Sequence, residues 1–76
     1  MTKDEMLKKY EANNYTVIQN QIIEAMKNGE HYIYVGIEGF DGFKPERLCT
    51  YETKNKLIED GFRVTDAGYD EWKISW

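Results

Sequence analysis

The sequence predicts a small α+β domain: a two-layer sandwich in which two helices cover one face of a three-stranded mixed sheet. Three observations carry this. Apolar residues at helical spacing fill the first third of the chain and stop at Asn28-Gly29. The run His31 to Glu38 is rich in β-branched and aromatic residues. Near the other end, Trp72, Ile74 and Trp76 alternate with Lys73 and Ser75, a period of two. A chain of 76 residues reads as a single domain, 1–76.

The first helix is expected from Thr2 to Asn28. Tyr15, Ile18, Ile22, Ile23 and Met26 recur at spacings dominated by three and four, after Met6, Leu7 and Tyr10. Thr2, Asp4 and Glu5 suit a helix start, where an oxygen cap and negative charge are favourable. Lys27-Asn28-Gly29 is a stop signal. Asn13-Asn14 is a point of weakness, and Thr16 with Gln19 offers a capping box for a second piece. One continuous helix is the preferred reading.

The first strand follows, with Ile33, Val35 and Ile37 on the face that should meet the helices and Tyr32, Tyr34 and Gly36 on the other. Gly39 to Lys44 is a glycine-punctuated loop. Pro45 suits a first helical position and Glu46 the positive end of the dipole. A second helix is therefore expected from there to about Asp60. Leu48, Tyr51, Leu57 and Ile58 are its expected buried side, and Gly61 its left-handed stop. The remainder is a hairpin: Phe62 and Val64 alternate with Arg63 and Thr65, Asp66 to Asp70 turns, and the tryptophan strand returns.

The order is thus helix, strand, helix, strand, strand. A strand–helix–strand unit is right-handed with parallel strands, and the hairpin makes the last strand antiparallel to its predecessor. That last strand carries the heaviest apolar face, so it belongs in the centre, giving strand order 1-3-2. One sheet face stays bare, and uncovered edges or faces invite association. The long first helix is also a candidate for pairing with a second copy.

Composition narrows the function. Fourteen acidic residues against ten Lys and Arg give a net charge of −4 and a pI near 4.9, which argues against direct nucleic-acid binding, since that needs clustered cations. No apolar run is long enough for a membrane span, and no signal-peptide pattern opens the chain. One Cys, Cys49, excludes an internal disulfide and fits a reducing compartment. One His with one Cys leaves too few soft ligands for zinc.

No catalytic, cofactor or metal set assembles from these residues. Gly36, Gly39 and Gly42 precede the expected second helix with Lys44 and Arg47 nearby. A phosphate could sit at such a place. The spacing is not a phosphate-loop fingerprint, and Glu38 and Asp41 oppose an anion, so an ordinary turn is preferred. His31 reads as a strand-start residue. Cys49, early in the second helix, has no base nearby in sequence and reads as a small buried residue. The acidic pairs Glu59-Asp60 and Asp70-Glu71 read as solvated surface. The aromatic excess is the best clue: Tyr32 and Tyr34 on the bare face, with Phe40 and Phe43 on the loop, are the candidate partner-binding residues. An acidic surround would speed encounter with a basic partner.

Three segments resemble a group of very short proteins of tailed bacteriophages. These are Ile22-Ile23-Glu24-Ala25-Met26-Lys27-Asn28-Gly29-Glu30, Asn55-Lys56-Leu57-Ile58-Glu59-Asp60-Gly61-Phe62-Arg63-Val64, and Trp72-Lys73-Ile74-Ser75-Trp76. The shared features are a helix ending in Ala-x-x-x-Gly, a second ending in Gly-aromatic-x-Val, and a terminal Ile-Ser-Trp. They are structural stops and core positions, so the resemblance implies fold more than activity and assigns no site residues. The Gly39–Lys44 loop is longer than is typical of the group. The resemblance implies a setting in the infected bacterial cytoplasm and a non-enzymatic role. Binding and blocking a host protein, a defence protein included, ranks first, with nucleic-acid mimicry as a variant. A homo-oligomer that sequesters a small nucleotide signal ranks second, and a virion component third.

Overall fold

A computed structural model of the chain describes residues 2–39 and 47–76, apart from the side chains of residues 10–12. The element order is α1 (Lys3–Lys27), β1 (Tyr32–Ile37), β2 (Leu48–Cys49), α2 (Tyr51–Glu59), β3 (Arg63–Asp66) and β4 (Glu71–Ser75). The architecture is α+β, with a four-stranded mixed sheet in the order β2-β1-β4-β3. Within it, β1-β4-β3 follows the expected arrangement: β4 is antiparallel to both neighbours.

The fourth strand corrects the sequence reading. Leu48 and Cys49 do not open the second helix; they pair in parallel with Gly36 and Ile37. The helix starts only after Thr50, whose side chain accepts from the Thr53 N–H at 3.1 Å. Thr50 is a better cap than anything near Pro45, because its hydroxyl reaches a helix donor that would otherwise lack a partner. The expected start at Pro45-Glu46 lies outside the described residues.

The shift re-aims α2. Its buried residues are Thr53 and Leu57, four apart on one face. Tyr51 and Ile58, expected inside, are 54% and 48% exposed, and Leu48 is half-buried in β2. Tyr51 still covers the core at its margin, its ring edge-on to Trp72 at 5.1 Å between centroids. Lys54 lies over the same indole, with Nζ 4.7 Å from the ring centroid.

α1 is continuous through Asn13-Asn14. At about 1.5 Å per residue, a helix of 25 residues approaches the 41 Å long axis of the molecule. Ile18, Ile22 and Ala25 enter the core, whereas Thr2 to Lys9 are exposed throughout. Both helices stop as expected. After α1, the Glu30 N–H donates to Ala25 O and Gly29 N–H to Met26 O; after α2, Phe62 N–H donates to Leu57 O and Gly61 N–H to Ile58 O. Gly29 and Gly61 hold φ of 79° and 100°, the left-handed conformation this double bond pattern requires.

The core lies between the helices and one sheet face. Ile33, Val35, Ile37, Cys49, Trp72 and Ile74 meet Ile18, Ile22, Ala25 and Leu57 there. Phe62, Val64 and Trp76 close its margin, with Phe62 edge-on to Trp76. Among the described residues, no helix is long and apolar enough to cross a membrane.

Candidate protein-binding face

The alternation of β1 sends Tyr32 and Tyr34 to the sheet face that no helix covers, where they are 45% and 46% exposed. Residues paired across strands share a face, so the register defines their neighbours. Tyr32 lies opposite Ser75 and Ser75 opposite Arg63; Tyr34 lies opposite Lys73 and Lys73 opposite Thr65. Gly36 lies opposite Glu71 and Leu48.

The two tyrosines pack edge to face, ring centroids 5.4 Å apart. Lys73 Nζ sits 4.6 Å from the Tyr32 ring centroid, held by the negative face of the ring. The three side chains form one contiguous aromatic and cationic surface on rigid backbone. Arg63 extends it toward β3, beside a hollow shared with Gly61, Ser75 and Trp76. The face carries Arg63 and Lys73 against Glu71, in a chain where acids outnumber Lys and Arg fourteen to ten. The acidic surplus therefore lies elsewhere on the molecule. Phe40 and Phe43, the other two expected partner-binding residues, lie outside the described residues, as does most of the Gly39–Lys44 loop.

The glycine loop and Lys44, considered for a phosphate, lie mostly outside the described residues, and the observed start of α2 is partly occupied. Its first N–H, at Tyr51, already donates to Glu38 Oε1 at 3.0 Å. The chain's own carboxylate thus sits where a helix dipole favours an anion. His31 stands exposed just before β1. Cys49 is fully buried, and burial pushes its thiol up to about 12, with the Glu38 charge adding and Lys54 opposing. A thiol so protonated is a poor nucleophile at neutral pH. Among the described residues, no three His, Cys, Asp or Glu side chains are grouped to hold a metal ion.

One residue was misjudged for a physical reason. Asn14, read as a weak point in the helix, is buried, and its amide bridges α1 to the segment before α2. Its Nδ2 donates to Leu48 O at 2.7 Å and its Oδ1 accepts from Thr50 N–H at 3.1 Å. The side chain thereby acts as a surrogate strand neighbour for β2. Tyr15, one residue on, ties the helices together by donating its hydroxyl to Asp60, which raises the Tyr15 pKa above its ordinary value.

Comparison with known protein families, curated proteins and solved structures finds no match to this chain.

Proposed function

We propose that this protein is a binding module without catalytic activity, and that it engages a protein partner through the bare sheet face around Tyr32 and Tyr34. The observation that carries the reading is the Tyr32–Tyr34–Lys73 surface: two large aromatic rings, packed edge to face and half-exposed on the sheet. Aromatic residues and Arg anchor protein interfaces, because they bury much area with little loss of side-chain freedom. A sheet supplies the rigidity that keeps such anchors in place. The resemblance to short phage proteins supplies the proposed setting, a bacterial cytoplasm in which the partner is a host protein and binding blocks it.

The test compares the protein with a Tyr32→Ala/Tyr34→Ala double variant, both immobilised and exposed to bacterial lysate. Circular dichroism and thermal melting check that the variant is folded. A host protein retained by the first and lost from the second supports the reading. Equal retention by both overturns the assignment to this face. No retained protein, together with a melting temperature raised by added nucleotide, would favour sequestration of a small ligand instead.

A further inference from the structure

β3 is an outer strand, and its outward edge is bare. Ala67 N–H donates to Glu71 O at 3.0 Å, in the register that pairs Thr65 with Lys73 and Arg63 with Ser75. Alternate residues of a strand present their main chain to opposite sides. Arg63, Thr65 and Ala67 therefore bond toward β4, and the N–H and C=O groups of Val64 and Asp66 point away from the sheet. Among the described residues, no strand lies beyond β3 and no main-chain bond from elsewhere reaches Val64 or Asp66. Arg63, Thr65 and Asp66 are exposed, and Val64 is half-buried. Residues 40–46 join Gly39 to Arg47 at the opposite side of the sheet. At about 4.8 Å per strand, a path from there to the outer side of β3 and back is about 33 Å, more than the roughly 28 Å that so short a segment spans.

Exposed edges are commonly blocked by Pro, Lys or a bulge. β3 reads Arg-Val-Thr-Asp, and its register with β4 is unbroken from Arg63 to Asp66. Its charges instead select one way of pairing with a copy of itself. In an antiparallel pair, outward-bonding residues must meet each other, so a two-fold axis centres on one residue of β3. Centred on Arg63 or on Asp66, it sets two like charges directly opposite, which is destabilising. Centred on Val64, it sets Arg63 opposite Thr65 of the second copy, with Lys73 of that copy next in the row. Centred on Thr65, it sets Arg63 opposite Ala67 of the second copy, with Glu71 next in the row. That last register alone brings opposite charges together. Neither Arg63 nor Glu71 makes an ion pair among the described residues.

We propose that β3 pairs antiparallel with β3 of a second copy about a two-fold axis at Thr65, joining two sheets into one. Val64 of each copy exchanges N–H···O bonds with Asp66 of the other. Thr65 meets Thr65, a favourable cross-strand pair. Arg63 reaches over the small Ala67 side chain to Glu71 of the second copy, about 10 Å away across two strand spacings. Symmetry makes each contact twice and closes the assembly at two chains. The contact is short, so the dimer is a weak one that fills with rising concentration. Both bare sheet faces then lie on the same side, with Tyr34, Lys73 and Thr65 continuing in one row into their counterparts. The inference goes beyond the partner-binding reading and does not rest on it.

The test uses the purified protein alone. Sedimentation equilibrium from about 10 µM to about 1 mM should show a monomer–dimer equilibrium. Over the same range, amide exchange at Val64 and Asp66 should slow about tenfold or more. A monomer throughout overturns the proposal. A dimer in which Val64 and Asp66 exchange at an unchanged rate also overturns it, because the contact then lies elsewhere. The charges test the register. Arg63→Glu and Glu71→Arg should each weaken the dimer about tenfold, since each pair occurs twice and turns repulsive. The double variant Arg63→Glu/Glu71→Arg should recover the original strength, with circular dichroism and thermal melting checking the fold of all three. Single variants that dimerise as well as the original, or a folded double variant that stays weak, would sink the Thr65-centred register. None of these readouts involves Tyr32 or Tyr34, so the dimer can fail while the sheet-face assignment stands, and the reverse.

Discussion

Cys49 and Asn14 show how much a single side chain can fix in so small a core. The Cys49 thiol titrates near 9.0 when free and is pushed up to about 12 in the fold, chiefly by burial. Above pH 9 the unfolded chain loses that proton while the folded chain keeps it. Stability from this group is therefore intact below pH 9 and is lost as pH rises toward 12. Urea unfolding across that range should show the fall, and Cys49→Ala should flatten it. A thiol reagent at pH 8 should leave the folded protein unmodified and react in urea. Asn14 is the more consequential residue. Asn14→Ala would leave Leu48 O and Thr50 N–H without their partner in a buried place, a loss of about 2 kcal/mol. Equilibrium unfolding measures it, and a loss under about 0.5 kcal/mol would mean that water replaces the amide.

At the scale of elements, what could be read from the sequence was local, and what could not was long-range. The helix stops at Gly29 and Gly61 were legible because a left-handed residue after a helix favours glycine wherever it occurs. An added Cβ at Gly61 meets nothing within 4 Å, so Gly61→Ala should lose stability through backbone strain alone, about 1–2 kcal/mol. Thermal melting of the variant checks this, and an unchanged midpoint would contradict the strained-cap account. The alternation of Tyr32 and Tyr34 against Ile33 and Val35 was equally legible, and so was their placement on the bare face. β2 was not. Two residues are too few to show a period, and Leu48-Cys49 is a strand only because Gly36 and Ile37 lie beside it. Thr53 hid another buried position, because its hydroxyl pairs with Thr50 and so lets a polar residue sit in the core.

The whole molecule is asymmetric in what holds it together. The packed body uses α1 from Asn14 onward, and the turns from Thr2 to Lys9 are exposed. Amides in Lys3 to Lys9 should therefore exchange much faster than those of Ile18 to Ala25, whose face is buried. Equal protection along α1 would show that something covers the first turns. Charge is arranged on the same scale, with Arg63 and Lys73 beside Glu71 on the tyrosine face of an acidic protein. On the proposed binding face, that arrangement would favour acidic side chains over the basic ones that net charge alone suggests.

The position of β4 has a consequence for how the molecule is made. β4 is the last strand in the chain and sits between β1 and β3, which have no contact in the strand order without it. As the polypeptide leaves the ribosome, α1, β1, β2 and α2 emerge with most of the sheet's strand pairing waiting. Trp72 and Ile74, which seal the core, arrive afterwards. A nascent chain thus passes through an interval in which Ile33 and Val35 lack their strand neighbours Ile74 and Trp72, the kind of unpaired edge that exposes a folding chain to aggregation. A chain interrupted before Glu71 would carry nearly the whole sequence and still have no route to the folded state.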